Sequence, residues 1–402
     1  MCEKRYGELM RGGNVGQLRT YNEHLVLSAI LEEGSLSKAA LSRRTGLSAN
    51  AAMIIANELI ARGLLVKCQP IRGQVGQPST PIAVNPEGAF SVGVNIGRRS
   101  VQSLLLNFSG EVIAEREQPH EYPEPASSID TAINQCTDLL NQQRETVRER
   151  TVGVGVALPG QLPAWSEELG LAPDALDGWQ EVDVQAALTK ATGLETLLYN
   201  DASAACAAEM IRGSAITHRS ALYLYFGTFI GGGIVIGGRL YQGEWKNAGA
   251  IGSMPVVTGV DGQARNQLIH RASIYQLETL LKSRGLDPDT VLAGKGADNA
   301  ESVFGLWMDE AAPAVASSIV SALSVVDFET VVIDGIISPD WRHQLRKRII
   351  GELSRQNLSG LILPTISTGS IGTSAPKLGA AIMPLRAKFS PEPEMVVRRS
   401  RP

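Results

Sequence analysis

The sequence predicts a small three-helix module with a β wing, followed by a larger α/β body of two lobes. Two observations predict it. Residues 20–62 hold three short segments of helical periodicity, the second and third separated by a turn of helix-turn-helix spacing. From residue 90 the pattern changes to apolar strands and helices, and a glycine-turned strand pair near residue 96 recurs near residue 230. That recurrence reads as two duplicated lobes with a cleft between them. With 402 residues, 44% of them apolar and 19% charged, the chain can bury sizeable cores in several domains.

Each element has a local reason. Residues 21–33 place Leu25, Leu27, Ile30 and Leu31 at helical spacing, and Gly34 closes the segment. Ser37 caps KAALSRRT, which ends at Gly46, and Ser48 caps ANAAMIIANELIAR, which ends at Gly63. LLVKCQP and PIAVN read as strands flanking IRGQVGQPST, the hairpin of a wing. In the body, SVGVNIG, SVQSLLLNF and EVIAERE read as consecutive strands, 129–148 as an amphipathic helix, and TVGVGVALPG as a buried strand entering a turn. A helix at 182–192 leads to the strand ETLLYN and a helix at 202–212. SALYLYFGTFIGGGIVIGGRLY holds two strands around a glycine-rich turn. Helices at 267–284 and 300–326, the strand TVVIDG, a helix at 341–356, the strand LILPTIS and a helix at 376–387 complete the body. The expected divisions are 18–86 for the winged module, 87–200 and 201–388 for the lobes, and 389–402 for a Pro- and charge-rich mobile tail.

Charge separates the front from the body. Residues 1–85 carry ten basic and six acidic side chains, a net of +4, while the remainder carries −8. A basic front on an acidic body points to an anionic partner for the front. There is no run of about 18 apolar residues, so no membrane span is expected. The opening MCEKRYGELMRGGN lacks the apolar segment of a secretory signal. Cys2, Cys68, Cys136 and Cys206 are scattered and form no C-x-x-C pair, which argues against a disulfide scaffold or a cysteine zinc cluster. A reduced cytoplasmic protein is expected.

A winged helix presents the N-terminal end of its second motif helix to base edges in the major groove. That end offers Ser48 and Asn50, with Asn57 further along. Arg43 and Arg44 at the end of the preceding helix, and Lys67 and Arg72 flanking the wing, can neutralise phosphates of double-stranded operator DNA. Few long polar side chains occupy the reading helix, so Ala51, Met53 and Ile54 touch thymine methyls or specificity is modest.

The strings SKAALSRRTGLSANAAMIIANELIARGLL, GVNIGRRSV, GVGVALPG, APDALDGW, LYNDASAACAAE, GTFIGGGIVIGGRLYQG, NAGAIGSMPV, VVIDGIIS and LGAAIMPL occur in order from about residue 20 to 388. In this combination the chain resembles the ROK family, which groups sugar-responsive repressors with sugar kinases. The front resembles the repressors in particular. The resemblance implies a body of two actin/hexokinase-like lobes, with sugar and ATP in the cleft of the kinases. It also implies site residues, and several are altered here. The first phosphate loop, D-x-G-x-T in the kinases, is Asn95, Gly97 and Arg99, without a carboxylate or hydroxyl for metal and phosphate. The second is better kept as Gly227, Thr228, Gly231, Gly232 and Gly233, which serve either an anion or a strand turn. Asn200 and Asp201 match the sugar-binding pair. Asp201 is the kinase general-base position, and an Asp there is also a good helix cap.

The remaining sugar anchors are lost. Ala250 stands where a Glu grips sugar hydroxyls, Ser253 where a His contacts sugar and zinc, and Ile269 where a second Glu is expected. Each lost hydrogen-bond partner costs about 1–3 kcal/mol. Asp174 in APDALDGW, with Pro159 and Gly160 in GVGVALPG, are the other effector-contact candidates. His270 beside the altered position reads as structural or as a ligand, and it rescues no zinc site, which needs about four ligands. No catalytic residue, metal, ATP or magnesium is expected. The reading is a DNA-binding regulator of a carbohydrate operon, a repressor by resemblance. Its body senses a sugar, sugar derivative or sugar phosphate and pairs as a homodimer or homotetramer. The alternatives are an active sugar kinase carrying a DNA-binding domain, or a DNA-binding scaffold without an effector.

Overall fold

A computed structural model describes residues 15–70, 80–160, 162–216, 218–256, 266–292, 294 and 297–391. The front comprises α1 (Val15–Glu33), β1 (Ser35–Leu36), α2 (Lys38–Thr45), α3 (Ala49–Ala61), β2 (Leu65–Lys67) and β3 (Ile82–Val84). Helix α1 starts ahead of the expected residue 21, because its first turns carry no burial signal: Leu18 there is exposed. Ser37 and Ser48 cap α2 and α3 as expected, accepting from the amides of Ala40 (3.3 Å) and Ala51 (3.2 Å). Gly46 closes α2 at φ 73°, where a side chain would be strained. β3 pairs antiparallel with both β1 and β2, which makes the small sheet of a winged helix. The tip of the wing, 71–79, lies outside the described residues.

The first lobe holds β4 (Phe90–Ile96), β5 (Ser100–Asn107), β6 (Val112–Pro119), α4 (Pro125–Asn141), α5 (Glu145–Glu149), β7 (Thr151–Leu158), α6 (Trp165–Glu168), α7 (Val184–Thr192) and β8 (Thr196–Asn200). The helix expected over 129–148 is two helices. Residues 141–144 are polar with no apolar side chain to seat, so the chain turns there and Val147 buries separately. The second lobe holds α8 (Asp201–Arg212), β9 (Ala221–Phe226), β10 (Ile230–Ile236), β11 (Arg239–Tyr241), β12 (Pro255–Val256), β13 (Asn266–Gln267), α9 (Ile269–Ala272), α10 (Ile274–Ser283), α11 (Pro288–Leu292), α12 (Ala297–Leu323), β14 (Thr330–Gly335), α13 (Pro339–Leu353), β15 (Thr365–Thr368) and α14 (Ala375–Phe389). The helix expected over 267–284 breaks at Ser273. Its hydroxyl donates to Ile269 O (2.5 Å) and accepts from Ile230 N–H (3.0 Å), while its carbonyl accepts from the Trp307 indole (3.1 Å).

The expected duplication is visible in the strand orders, β6-β5-β4-β7-β8 and β11-β10-β9-β14-β15. In each sheet the first three strands are antiparallel and the last two join in parallel. Helices α8 and α14 lie between the two sheets. Small residues bring them together: a Cβ on Gly155 of β7 would collide with Ala380 O of α14, and one on Gly379 of α14 with Ala204 O of α8. So α14, although last in the chain, packs on the first sheet. One apolar cluster runs from Leu41 and Leu59 in the winged helix through Leu104 and Phe108 to Ala205, Tyr223 and Phe389. The tail expected to be mobile from 389 begins later: Phe389 is the buried end of α14, and Ser390 O and Pro391 O accept hydrogen bonds from the His24 ring (3.0 Å) and Arg239 (3.1 Å), while 392–402 lie outside the described residues.

Candidate functional site

Two surfaces carry the chemistry, and the first is the open flank of α3. Asn50, Ile54 and Asn57 recur at spacings of four and three residues, so they share one face, and all three are exposed. Behind them Ala52, Ile55, Ala56 and Leu59 fill the core. Met53 packs against that core, so Ile54 is the apolar side chain turned outward, between the amide side chains of Asn50 and Asn57. Ser48 is exposed at the cap. Arg43 and Lys67 are exposed and, among the described residues, have no ion-pair partner. Arg44 instead bridges Glu32 (2.9 Å) and Glu33 (3.4 Å) at the end of α1. An exposed pair of this kind is worth little, so a phosphate can replace it. Arg72 lies outside the described residues.

The second surface is a cleft of about 620 Å³ between the lobes. Asn200 and Asp201 sit in it at the β8–α8 junction, and Pro159 and Gly160 line it after β7. Gly227, Thr228, Gly231 and Gly232 enter from the second lobe. Asp174 does not join them: it is exposed in a turn at 173–176. The helix cap considered for Asp201 belongs to Asn200, whose side-chain oxygen accepts from Ala202 N–H (3.1 Å) and Ser203 N–H (3.3 Å). Asp201 is the first helical residue and accepts from Ala202 N–H (2.7 Å). Burial against the protein pushes its pKa up to about 6, opposed by that amide.

Three of the glycines have a structural explanation. Gly231, Gly232 and Gly233 are strand residues of β10, not turn residues. A Cβ on Gly231 would lie 2.7 Å from Ala202 Cβ, and one on Gly233 would strike Cys206, so α8 could not lie against the strand. The turn itself is docked on α10, with Gly227 O and Thr228 O accepting from the amides of Ile274 (3.2 Å) and Tyr275 (3.0 Å). On the facing β4–β5 turn, Gly97 N–H donates to Ser100 O (3.0 Å) and the His120 ring holds Gly97 O (2.9 Å). Arg99 reaches across the cleft to Glu278 of α10 (2.6 Å) and to Asp289 of α11. Trp165 packs on Phe229 from the opposite lobe, ring centres 4.6 Å apart. Arg99 and Trp165 thus each tie the first lobe to the second across the cleft.

Comparison with protein families matches residues 91–387 to the ROK family. The chain belongs to the ROK family. Residues 19–72 match the MarR family, so a MarR-type winged helix precedes the ROK body. The xylose repressor of Bacillus subtilis (strain 168) is 22% identical over 60% of this chain and 61% of its own length. The DNA-binding transcriptional dual regulator NagC of Escherichia coli (strain K12) is 22% identical over 61% of this chain and 59% of its own length. The chain thus spans less than two thirds of the length of these relatives. Among solved structures, a ROK family transcriptional regulator described as a homolog of E. coli MLC protein covers 95% of this chain and 100% of its own, with TM-score 0.69 and 18% identity. The ROK hexokinase from Thermus thermophilus covers 73% of this chain and 97% of its own, with TM-score 0.52 and 23% identity. Those two show the fold.

Within the ROK body, the residues present do not suit the zinc known from the family's motif. Between Ala250 and Ser273 the sequence offers His270 and no cysteine, and Ser253 is exposed. A magnesium ion fits no better, since Asn95 is no anion where the kinases' first phosphate loop carries a carboxylate. Ala250, Ser253 and Ile269 do line the cleft, so the altered anchor positions face it. Sequence reasoning missed Arg98, Asn247 and Thr373, which also line it. For Arg98 the doubled arginine after Gly97 was the available signal. Asn247 follows Lys246, whose φ of 56° is a strain that periodicity cannot reveal.

Proposed function

We propose that the chain is a sugar-responsive transcriptional repressor whose kinase-like body senses an effector and pairs chains, without catalysis. The carrying observation is the presence, in one chain, of an exposed reading stripe on α3 and a ROK cleft with Ala250 and Asn95 at carboxylate positions. The names of the repressor relatives support the reading. No metal or nucleotide takes part in it, and the work is done in the cytoplasm on double-stranded operator DNA. Two chains, as a homodimer or within a homotetramer, present two reading helices to half-sites about 34 Å or a multiple apart. An effector with different affinity for two lobe angles changes that presentation. Helix α14 offers the mechanical link. Thr373 and Pro376 at its start line the cleft, and at its end Ser390 O is hydrogen-bonded by the ring of His24 in α1 (3.0 Å).

The test is binding to the DNA upstream of the chain's own gene at two salt concentrations, with wild type and with Arg43→Ala/Arg44→Ala. The expected result is tight, salt-sensitive binding, weakened about tenfold or more and with a shallower salt slope in the double variant. Binding indifferent to both arginines overturns the reading. The kinase alternative draws on Asp201, since a carboxylate pushed up to about 6 is suited to taking a proton. ATP turnover with a panel of hexoses separates the two, and none is expected.

A further inference from the structure

We infer that the effector is an anionic sugar, its acid group received by Arg98 and Arg99 on the β4–β5 turn. This rests on the repressor reading and narrows the effector's chemistry. Both arginines line the cleft. They differ in what balances them. Arg99 is held by Glu278, whose side chain is 7% exposed, and by Asp289, which is 74% exposed. Arg98 is half-buried and, among the described residues, has no carboxylate within pairing distance. Its guanidinium donates to the backbone carbonyl of Glu121. Four of its N–H donors are left for another acceptor. Desolvation by burial, then the neighbouring Arg99, work against its charge and lower its pKa, with Glu278 partly compensating. A negative charge arriving at this turn relieves that imbalance.

The rest of the cleft points the same way. A neutral sugar is gripped by carboxylates, and Ala250 and Ile269 offer none. Asp201, the carboxylate that remains at the sugar pair, is pushed up to about 6, so its repulsion of an anion weakens in mildly acid solution. The turn is prebuilt, because His120 and Ser100 fix Gly97 on both sides. Glu117 also faces the cleft, but it is occupied by Ser100 (3.0 Å) and Gln102 (2.9 Å). An acid group between the arginines competes with the exposed Asp289 more easily than with buried Glu278. Displacing Asp289 removes one of the ion pairs that Arg99 makes across the cleft, which gives binding a structural consequence.

Phosphate and carboxylate share this chemistry, and the test separates them. Calorimetry on the full chain compares glucose, glucose 6-phosphate, glucuronate, inorganic phosphate and ATP. One or both anionic sugars should bind at least about tenfold tighter than glucose, the worth of a charge-assisted hydrogen bond. Arg98→Gln should remove that advantage and Arg98→Lys should keep part of it, each variant's folding being checked by its thermal transition. Equal affinity for glucose and both acids overturns the inference. So does an advantage that survives Arg98→Gln, inorganic phosphate or ATP binding as tightly as the sugar acids, or silence of both acids. Operator binding is measured in parallel on the same preparation. Release by glucose alone leaves the repressor standing and removes the anion, whereas absence of operator binding removes the repressor whatever calorimetry reads.

Discussion

Asp201 combines two environments that a sequence cannot show together: an amide that favours its charge and a protein wall that opposes it. The wall wins, and the pKa rises from an ordinary 3.8 to about 6. Below about pH 4 the folded and unfolded chains both hold the proton, and Asp201 leaves stability unchanged. Between about pH 4 and 6 the folded chain keeps a proton that the unfolded chain has lost, so stability falls as pH rises. Above pH 6 the full cost is present, on the order of 2–3 kcal/mol, since each tenfold change in proton affinity is worth about 1.4 kcal/mol. Asp201→Asn should therefore raise the melting temperature at pH 7.5, with the gain vanishing toward pH 4. A gain independent of pH would mean that desolvation of the carboxylate is not the cause.

At the scale of elements, legibility followed whether the deciding force was local. The caps at Ser37 and Ser48 and the left-handed Gly46 are local, and α2 and α3 stand where the sequence puts them. The break at Ser273 is not local, because Ile230 and Trp307 impose it from β10 and α12. The cleft set of Asn200, Asp201, Gly227 and Thr228 was readable from motif resemblance, whereas Asp174 shares the motif string but is exposed in a turn outside the cleft. The glycines of β10 and α14 were readable as motif letters, yet their reason is close helix packing. That reason is testable. Gly379→Ala sets a methyl on Ala204 O and should cost about 3 kcal/mol or more, read as a lower denaturant midpoint. Gly351→Ala in α13 meets nothing within 4 Å and should instead gain a few tenths to about 1 kcal/mol from helix propensity. Similar losses from both would show that α8 and α14 have room between them.

At the scale of the molecule, the question is how a cleft event reaches a reading helix. A loop that holds its place is needed first, and two buried carboxylates provide it. Glu209 accepts from Ser370 N–H (2.9 Å) and Ile371 N–H (3.2 Å), and Asp334 accepts from Gly372 N–H (3.2 Å) while pairing with Arg342. They fix the start of α14 to the second lobe, while its length packs on the first sheet. A change of lobe angle therefore strains α14 rather than its anchor. At its far end Phe389 packs on Phe108, ring centres 4.7 Å apart, and Ser390 O meets His24. If α14 carries the coupling, weakening this last contact should separate binding from response. His24→Ala should leave sugar affinity and operator affinity each within about threefold of wild type. It should shrink the ratio of operator affinities with and without sugar toward one, from the roughly 5- to 150-fold of ordinary allosteric coupling. Linkage supplies the cross-check, since operator DNA must change sugar affinity by the same factor in each variant. A His24→Ala protein whose release by sugar is undiminished would mean that the signal leaves the body by another route, with Arg150, which donates to Gly63 O (3.4 Å) and Glu87 O (3.0 Å), the next contact to break.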